Sequence, residues 1–152
     1  IGQNFRSANR AANQQYFPLN FEEINKAFIN GNNEKVICAL LQALRWRITG
    51  IYLALAAFAN NNRTRGANLR REVIIAYARH DLLGLTQEHD QVLEKILVKS
   101  TRRVKEFSAR LINALASDYS GRSYLLESDK MVLQLIHILK TEVMALFMRI
   151  FC

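Results

Sequence analysis

The chain has 152 residues and a net charge of +8; hydrophobic residues make up 50% of it, against six glycines and a single proline. A chain of this length buries roughly 68–70% of the surface its unfolded form exposes, which excludes general disorder. So few backbone breakers among so much Ala and Leu predict an all-α protein. The positive field favours anionic partners, whether nucleic acid, membrane headgroups or an acidic protein surface, and does not choose among them.

Two cysteines, Cys38 and Cys152, lie far apart. That spacing excludes a disulfide framework and a structural zinc site, whose ligands come in close pairs, and a reducing intracellular compartment is expected. The longest apolar run, Ile51 to Ala59, is about half of the roughly 20 residues a bilayer span needs, and no signal-peptide pattern occurs, so a soluble protein is expected. With no initiating Met and an apolar end at Met144 to Cys152 (MALFMRIFC), a fragment of a longer chain is expected.

Residues 1–17 carry Gln, Asn, Arg and Ala without an apolar period and read as an irregular arm; a helical domain over 18–152 follows. Asn20 and Glu23 form a capping box for a helix that turns Phe21, Ile24 and Phe28, with Ile29 beside them, inward, and Gly31 stops it. Asn33 caps a second helix with Val36, Ile37, Leu40, Leu41, Leu44 and Ile48 on one wide face, ending at Gly50. Ile51 to Ala59 is apolar all round and is expected as a separate, enclosed core helix.

Asn60 to Asn68 (NNNRTRGAN) reads as a loop, with the next helix starting near Leu69 and burying Val73, Ile74 and Tyr77. His80 and Asp81 lead into Leu82, Leu83 and Leu85 around Gly84, and Gln91 to Val98 gives another helix with Val92, Leu93, Ile96 and Leu97 inward. Ser100 or Thr101 caps a helix whose Val104, Phe107, Ser108, Leu111, Ile112 and Leu115 keep a three-then-four spacing; Gly121 is expected to end that run before a short second helix. Ser128 caps the last helix, with Met131, Val132, Leu135, Ile136 and Leu139 as its inward stripe. Helices of this length, each with one wide apolar face and joined by short turns, predict armadillo/HEAT-like stacked helical pairs, a segment of an α-solenoid. The apolar stretch after Met144 is then expected to pack on a following repeat.

Cys38 to Ile48 (CALLQALRWRI), Tyr77 to Leu83 (YARHDLL) and Phe107 to Leu125 (FSARLINALASDYSGRSYL) carry a resemblance. They are similar to the helical region before and at the start of the armadillo array in the LisH-domain-containing armadillo repeat-containing protein nine family, from Phe21 to Lys140. The resemblance implies a non-enzymatic scaffold of the cilium, at the basal body, axoneme or ciliary tip. It implies microtubule-associated partners, a tubulin-binding array protein among them, with tubulin itself as a further candidate.

Arg63, Arg65, Arg70 and Arg71 form one basic cluster, and Arg102, Arg103 and Lys105, with Arg110 further along, form a second. Both are candidate surfaces for an acidic partner, read against the blander account of solvated faces. Trp46, between Arg45 and Arg47, reads as packed at the rim of a core, and Tyr77 and Tyr124 as packed likewise. The doublet His80–Asp81 is one that metal-dependent phosphohydrolases use, but such a site needs further His and Asp ligands; a loop-capping role is the better reading. No serine sits in a glycine-flanked elbow and no phosphate-cradling loop occurs, so no catalysis, cofactor or small-molecule substrate is expected. A basic helical nucleic-acid-binding domain is the alternative, disfavoured because the aromatics sit on apolar faces apart from the basic residues.

Overall fold

A computed structural model describes the backbone of residues 19–57, 63–86 and 91–151, and the side chains of 19–50, 67–86 and 92–141. The regular structure among the described residues is entirely helical. The elements are α1 (Phe21–Asn30), α2 (Glu34–Ala57), α3 (Arg63–Arg79), α4 (Gln91–Leu93) with a π-helical continuation (Glu94–Val98), α5 (Arg102–Ala116), α6 (Tyr119–Leu125) and α7 (Asp129–Phe151). The expected arm over residues 1–17 lies outside the described residues.

Asn20 and Asn33 act as the expected N-caps, Asn20 through one half of the expected capping box. Asn20 Oδ1 accepts from Glu23 N at 3.2 Å, and α1 buries Ile24 and Phe28. Asn33 Oδ1 accepts from Lys35 N at 3.0 Å and Val36 N at 3.4 Å, opening α2. The expected stop does not occur. α2 runs through Gly50 to Ala57, so the apolar run after Gly50 continues the same helix as far as Ala57 instead of forming another. One interior glycine costs a helix about 1 kcal/mol, too little to break it when Ile48 on the preceding turn is fully buried. Val36, expected inward, is 57% exposed, because Ile37, Leu41, Leu44 and Ile48 already define the buried line.

The described part of the segment expected as a loop is also helical: α3 begins at Arg63, so RTRGAN forms its opening turns. Extending a helix by one residue adds a hydrogen bond for each residue fixed, which outweighs the weak preferences of Thr, Gly and Asn. α3 runs antiparallel to α2, and Tyr77 Oη of α3 donates to Leu44 O of α2 at 3.2 Å. At its end the chain turns through Asp81 and Gly84, with φ of 45° and 66°. Asp81 Oδ1 accepts from Leu85 N at 2.7 Å, and its Oδ2 accepts from Thr86 N and Thr86 Oγ1 at 3.1 and 2.6 Å. The capping role read for the doublet is what Asp81 performs, while the His80 ring stacks on Phe21 with centroids 4.3 Å apart.

The π-helical stretch is held by Lys99 N donating to Glu94 O at 2.9 Å, and the hydroxyl of Ser100 donates to Ile96 O at 2.6 Å. Ser108 of α5 donates to the same carbonyl at 3.4 Å, which explains a serine within an apolar stripe. Thr101 Oγ1 caps α5, accepting from Val104 N at 3.4 Å. α5 ends at Ala116, not at Gly121, which lies inside α6. A Cβ there would stand 2.0 Å from Leu115 O and 3.1 Å from Ile74 Cγ2, so this glycine permits a close approach where a chain break was expected.

α2 makes its most extensive packing with α3 and α5, and α6 rests on both of those. α7 departs from its expected stripe. Met131 is buried with Leu135 and Ile138 partly so, while Val132, Ile136 and Leu139 are exposed. The inward line follows the i, i+4, i+7 spacing from Met131; the exposed line sits one position, roughly 100°, further round.

Candidate protein-interaction face

α2 spends Ile37, Leu41, Leu44 and Ile48 on the core. The same helical spacing, shifted by a residue or two, then places Lys35, Cys38, Gln42 and Trp46 along the shoulder facing α5. Arg103 and Phe107 of α5 close this groove, whose volume is about 340 Å³. Further along the seam, Arg45 and Thr49 of α2, Arg70 of α3, Arg110 and Asn113 of α5 and Ser117 just after it line a second groove of about 280 Å³. Both helices advance in sequence from the first groove to the second, so they run in the same direction.

Trp46, expected at the rim of a core, is instead 60% exposed over the first groove, whereas Tyr77 and Tyr124 are buried as expected. Cys38 lines the groove from below; burial pushes its thiol up, Glu34 adds to the rise and Arg103 opposes it. A protonated thiol is a weak nucleophile, so Cys38 packs and does not react. Phe107 is half-buried at the junction of the two grooves, with the Arg110 guanidinium 5.4 Å from its ring centroid and paired with Glu106.

Among the described residues, two buried polar atoms at this seam find no hydrogen-bond partner: Gln42 Oε1 in the first groove and Arg70 Nε in the second. The other end of the Arg70 guanidinium donates to Ser117 Oγ. An unpaired buried acceptor or donor is costly to a fold.

The basic residues singled out from the sequence are distributed as follows. Arg63 and Arg65 stand in the first turn of α3, with side chains outside the described residues. Arg70 is half-buried in the second groove, and Arg71 Nε lies 3.4 Å from Asp118 Oδ2. Burial works against the charge on Asp118, but the Ser120 amide and Arg71 together outweigh it and hold the carboxyl below its ordinary value. Arg102 and Arg103 are exposed and Lys105 is half-buried. Arg70 thus meets Arg45 and Arg110, a convergence of three helices that the two linear clusters did not contain. Lys35 and Gln42 were not singled out at all, although their spacing with Trp46 is the helical repeat that marks a shared face.

No family model matches the chain, and no solved structure does. Curated relatives do. Over 124 residues, 82% of the chain, it is 33% identical to LisH domain-containing protein ARMC9 of Bos taurus, 32% to that of Homo sapiens and 31% to that of Danio rerio. The chain belongs to the ARMC9 family. It spans 16%, 13% and 14% of the length of those three relatives. The 124 matched residues are more than the longest described helix, α2 with its 24 residues, can account for, so the likeness extends over several packed helices.

Among the described residues, no group of three or more His, Cys, Asp or Glu is placed to hold a metal ion. No helix among them is long and apolar enough to cross a membrane.

Proposed function

We propose that this chain is part of a non-enzymatic scaffold of the cilium, working by binding microtubule-associated proteins through its helical surface and basic residues. The observation that carries this reading is the likeness to LisH domain-containing protein ARMC9 over 82% of the chain. In this reading residues 18–152 form an armadillo-like unit of stacked helical pairs, with 1–17 an arm beside it. The exposed apolar residues Leu126, Val132, Leu133, Ile136 and Leu139 support it, because a stacked unit leaves one such face for a neighbouring helical pair to cover. The net charge of +8 supports an acidic partner surface, with the tails of tubulin as one candidate.

The test is the position of the fluorescently tagged protein in ciliated cells, combined with co-sedimentation with microtubules. Concentration at the basal body, axoneme or ciliary tip is the expected result. Removing the acidic tubulin tails should weaken any direct co-sedimentation; a tagged protein spread evenly through the cell, with no co-sedimentation, would overturn the reading.

A further inference from the structure

The α2–α5 seam alternates in character along its length. Lys35 and Arg103 stand at one end, Arg45, Arg70 and Arg110 at the other, and the stretch between them offers apolar surface. From Lys35 to Thr49 the seam is about 21 Å long at 1.5 Å per residue, the length of a four-turn helix. We infer that the seam is the docking site for an acidic amphipathic helix of a protein partner, with apolar anchors in its middle and carboxylates towards both ends.

Charge complementarity selects this occupant. Nucleic acid presents its charge continuously, one phosphate per roughly 3.4 Å of strand. The middle of the seam is floored by Cys38, Ala39 and the half-buried Phe107, and the guanidinium that Arg110 places 5.4 Å from the Phe107 centroid is already paired with Glu106, so a continuous run of phosphates meets mainly apolar surface there. A helix with separated acidic and apolar segments matches the alternation, and two neighbouring helices form the groove such a segment uses. Trp46 and Phe107 are the anchor contacts, since aromatic residues in a desolvated pocket carry most of the binding energy at interfaces of this kind.

The docking site deepens the scaffold reading and rests on it, naming the surface and the chemistry of what it holds. Trp46 is the chain's single tryptophan, so its fluorescence reports on the groove directly. The probe is a 14-residue amphipathic helix without tryptophan, with Leu and Phe anchors and glutamates at both ends. Titrating it into the whole chain should move Trp46 emission to shorter wavelength, and the double variant K35E/R103E should weaken that titration at least tenfold while keeping the circular dichroism of the parent. The same helix with lysines in place of glutamates should leave the emission unmoved. An acidic helix that causes no shift, an equal shift from the lysine helix or from poly(U), or undiminished binding to K35E/R103E would each overturn the docking site. Those results leave the cellular position untouched, whereas loss of ciliary placement by the unmodified protein sinks the scaffold reading itself.

Discussion

Tyr124 of α6 is bonded directly to Asp81 in the turn after α3: Tyr124 Oη donates to Asp81 Oδ1 at 2.9 Å and accepts from Leu83 N at 2.8 Å. Asp81 has a left-handed backbone, and its carboxylate also binds the amides of Leu85 and Thr86. One phenol on α6 therefore braces the whole turn that follows α3. Burial first, and then the neighbouring Asp81 charge, push the Tyr124 phenol far above its ordinary value, so it stays a donor at any working pH, although the bond from Leu83 N opposes the rise.

Tyr124→Phe removes the hydroxyl and leaves the buried Leu83 amide without an acceptor. The expected loss is about 1–3 kcal/mol in urea unfolding. A change below about 0.5 kcal/mol would mean that water replaces the hydroxyl and that the brace is not needed.

Gly121→Ala pits two effects against each other. Alanine favours a helix by about 1 kcal/mol over glycine, yet its Cβ would stand 2.0 Å from the Leu115 carbonyl oxygen, a backbone atom that no rotamer can move. The clash wins, and a net loss of roughly 1–3 kcal/mol is expected, with α6 displaced from Ile74. Gly50→Ala is the control: no atom of the described residues lies within 4 Å of the added Cβ, so it should be neutral or stabilising. Thermal unfolding of the two variants side by side decides the matter.

Asp118 makes stability depend on acid. Its folded carboxyl is held below the ordinary value, with burial opposing and the Ser120 amide and Arg71 prevailing. Such a group binds fewer protons folded than unfolded. Its stabilisation is therefore complete above the ordinary aspartate value, about pH 4, and is lost as pH falls through the lower folded value. Asp118→Asn keeps an acceptor for the Ser120 amide but removes the charge, so the urea midpoint of the variant should fall less steeply with acid than that of the parent. Equal slopes would show that Asp118 is not part of the acid response.

Two neighbouring positions on α7 should respond oppositely. Met131 is 1% exposed, and Met131→Ala should cost about 2–5 kcal/mol. Ile136, 44% exposed, faces away from the packed line, and Ile136→Lys should change unfolding by less than about 0.5 kcal/mol. If Ile136→Lys proves as damaging as Met131→Ala, then a neighbouring surface already covers that face.

The existence of the helices and most of their buried lines were legible in the sequence, because apolar residues three and four apart can only be buried together on one side of a coil. Ile24 and Phe28 in α1, Ile37, Leu41, Leu44 and Ile48 in α2, and Leu111, Ile112 and Leu115 in α5 follow that rule directly. The caps at Asn20, Asn33 and Thr101 were legible for the same local reason, since each oxygen reaches an amide two or three residues away. Family membership, too, needs only the order of residues.

Tertiary structure decided where the helices stop and which shoulders meet. Gly50 and Gly121 are identical in a local reading, but the first lies within a long helix clear of the other described residues and the second allows a backbone contact. Val36, Ile136 and Leu139 satisfy an apolar pattern and still face outward, since burial depends on what packs opposite and not on the residue alone. The seam that brings Arg45, Arg70 and Arg110 together draws on three helices distant in sequence. Helical periodicity acts over a few residues, whereas a surface for a partner is assembled by packing between elements; the first is written along the chain, and the second exists only once the chain has folded.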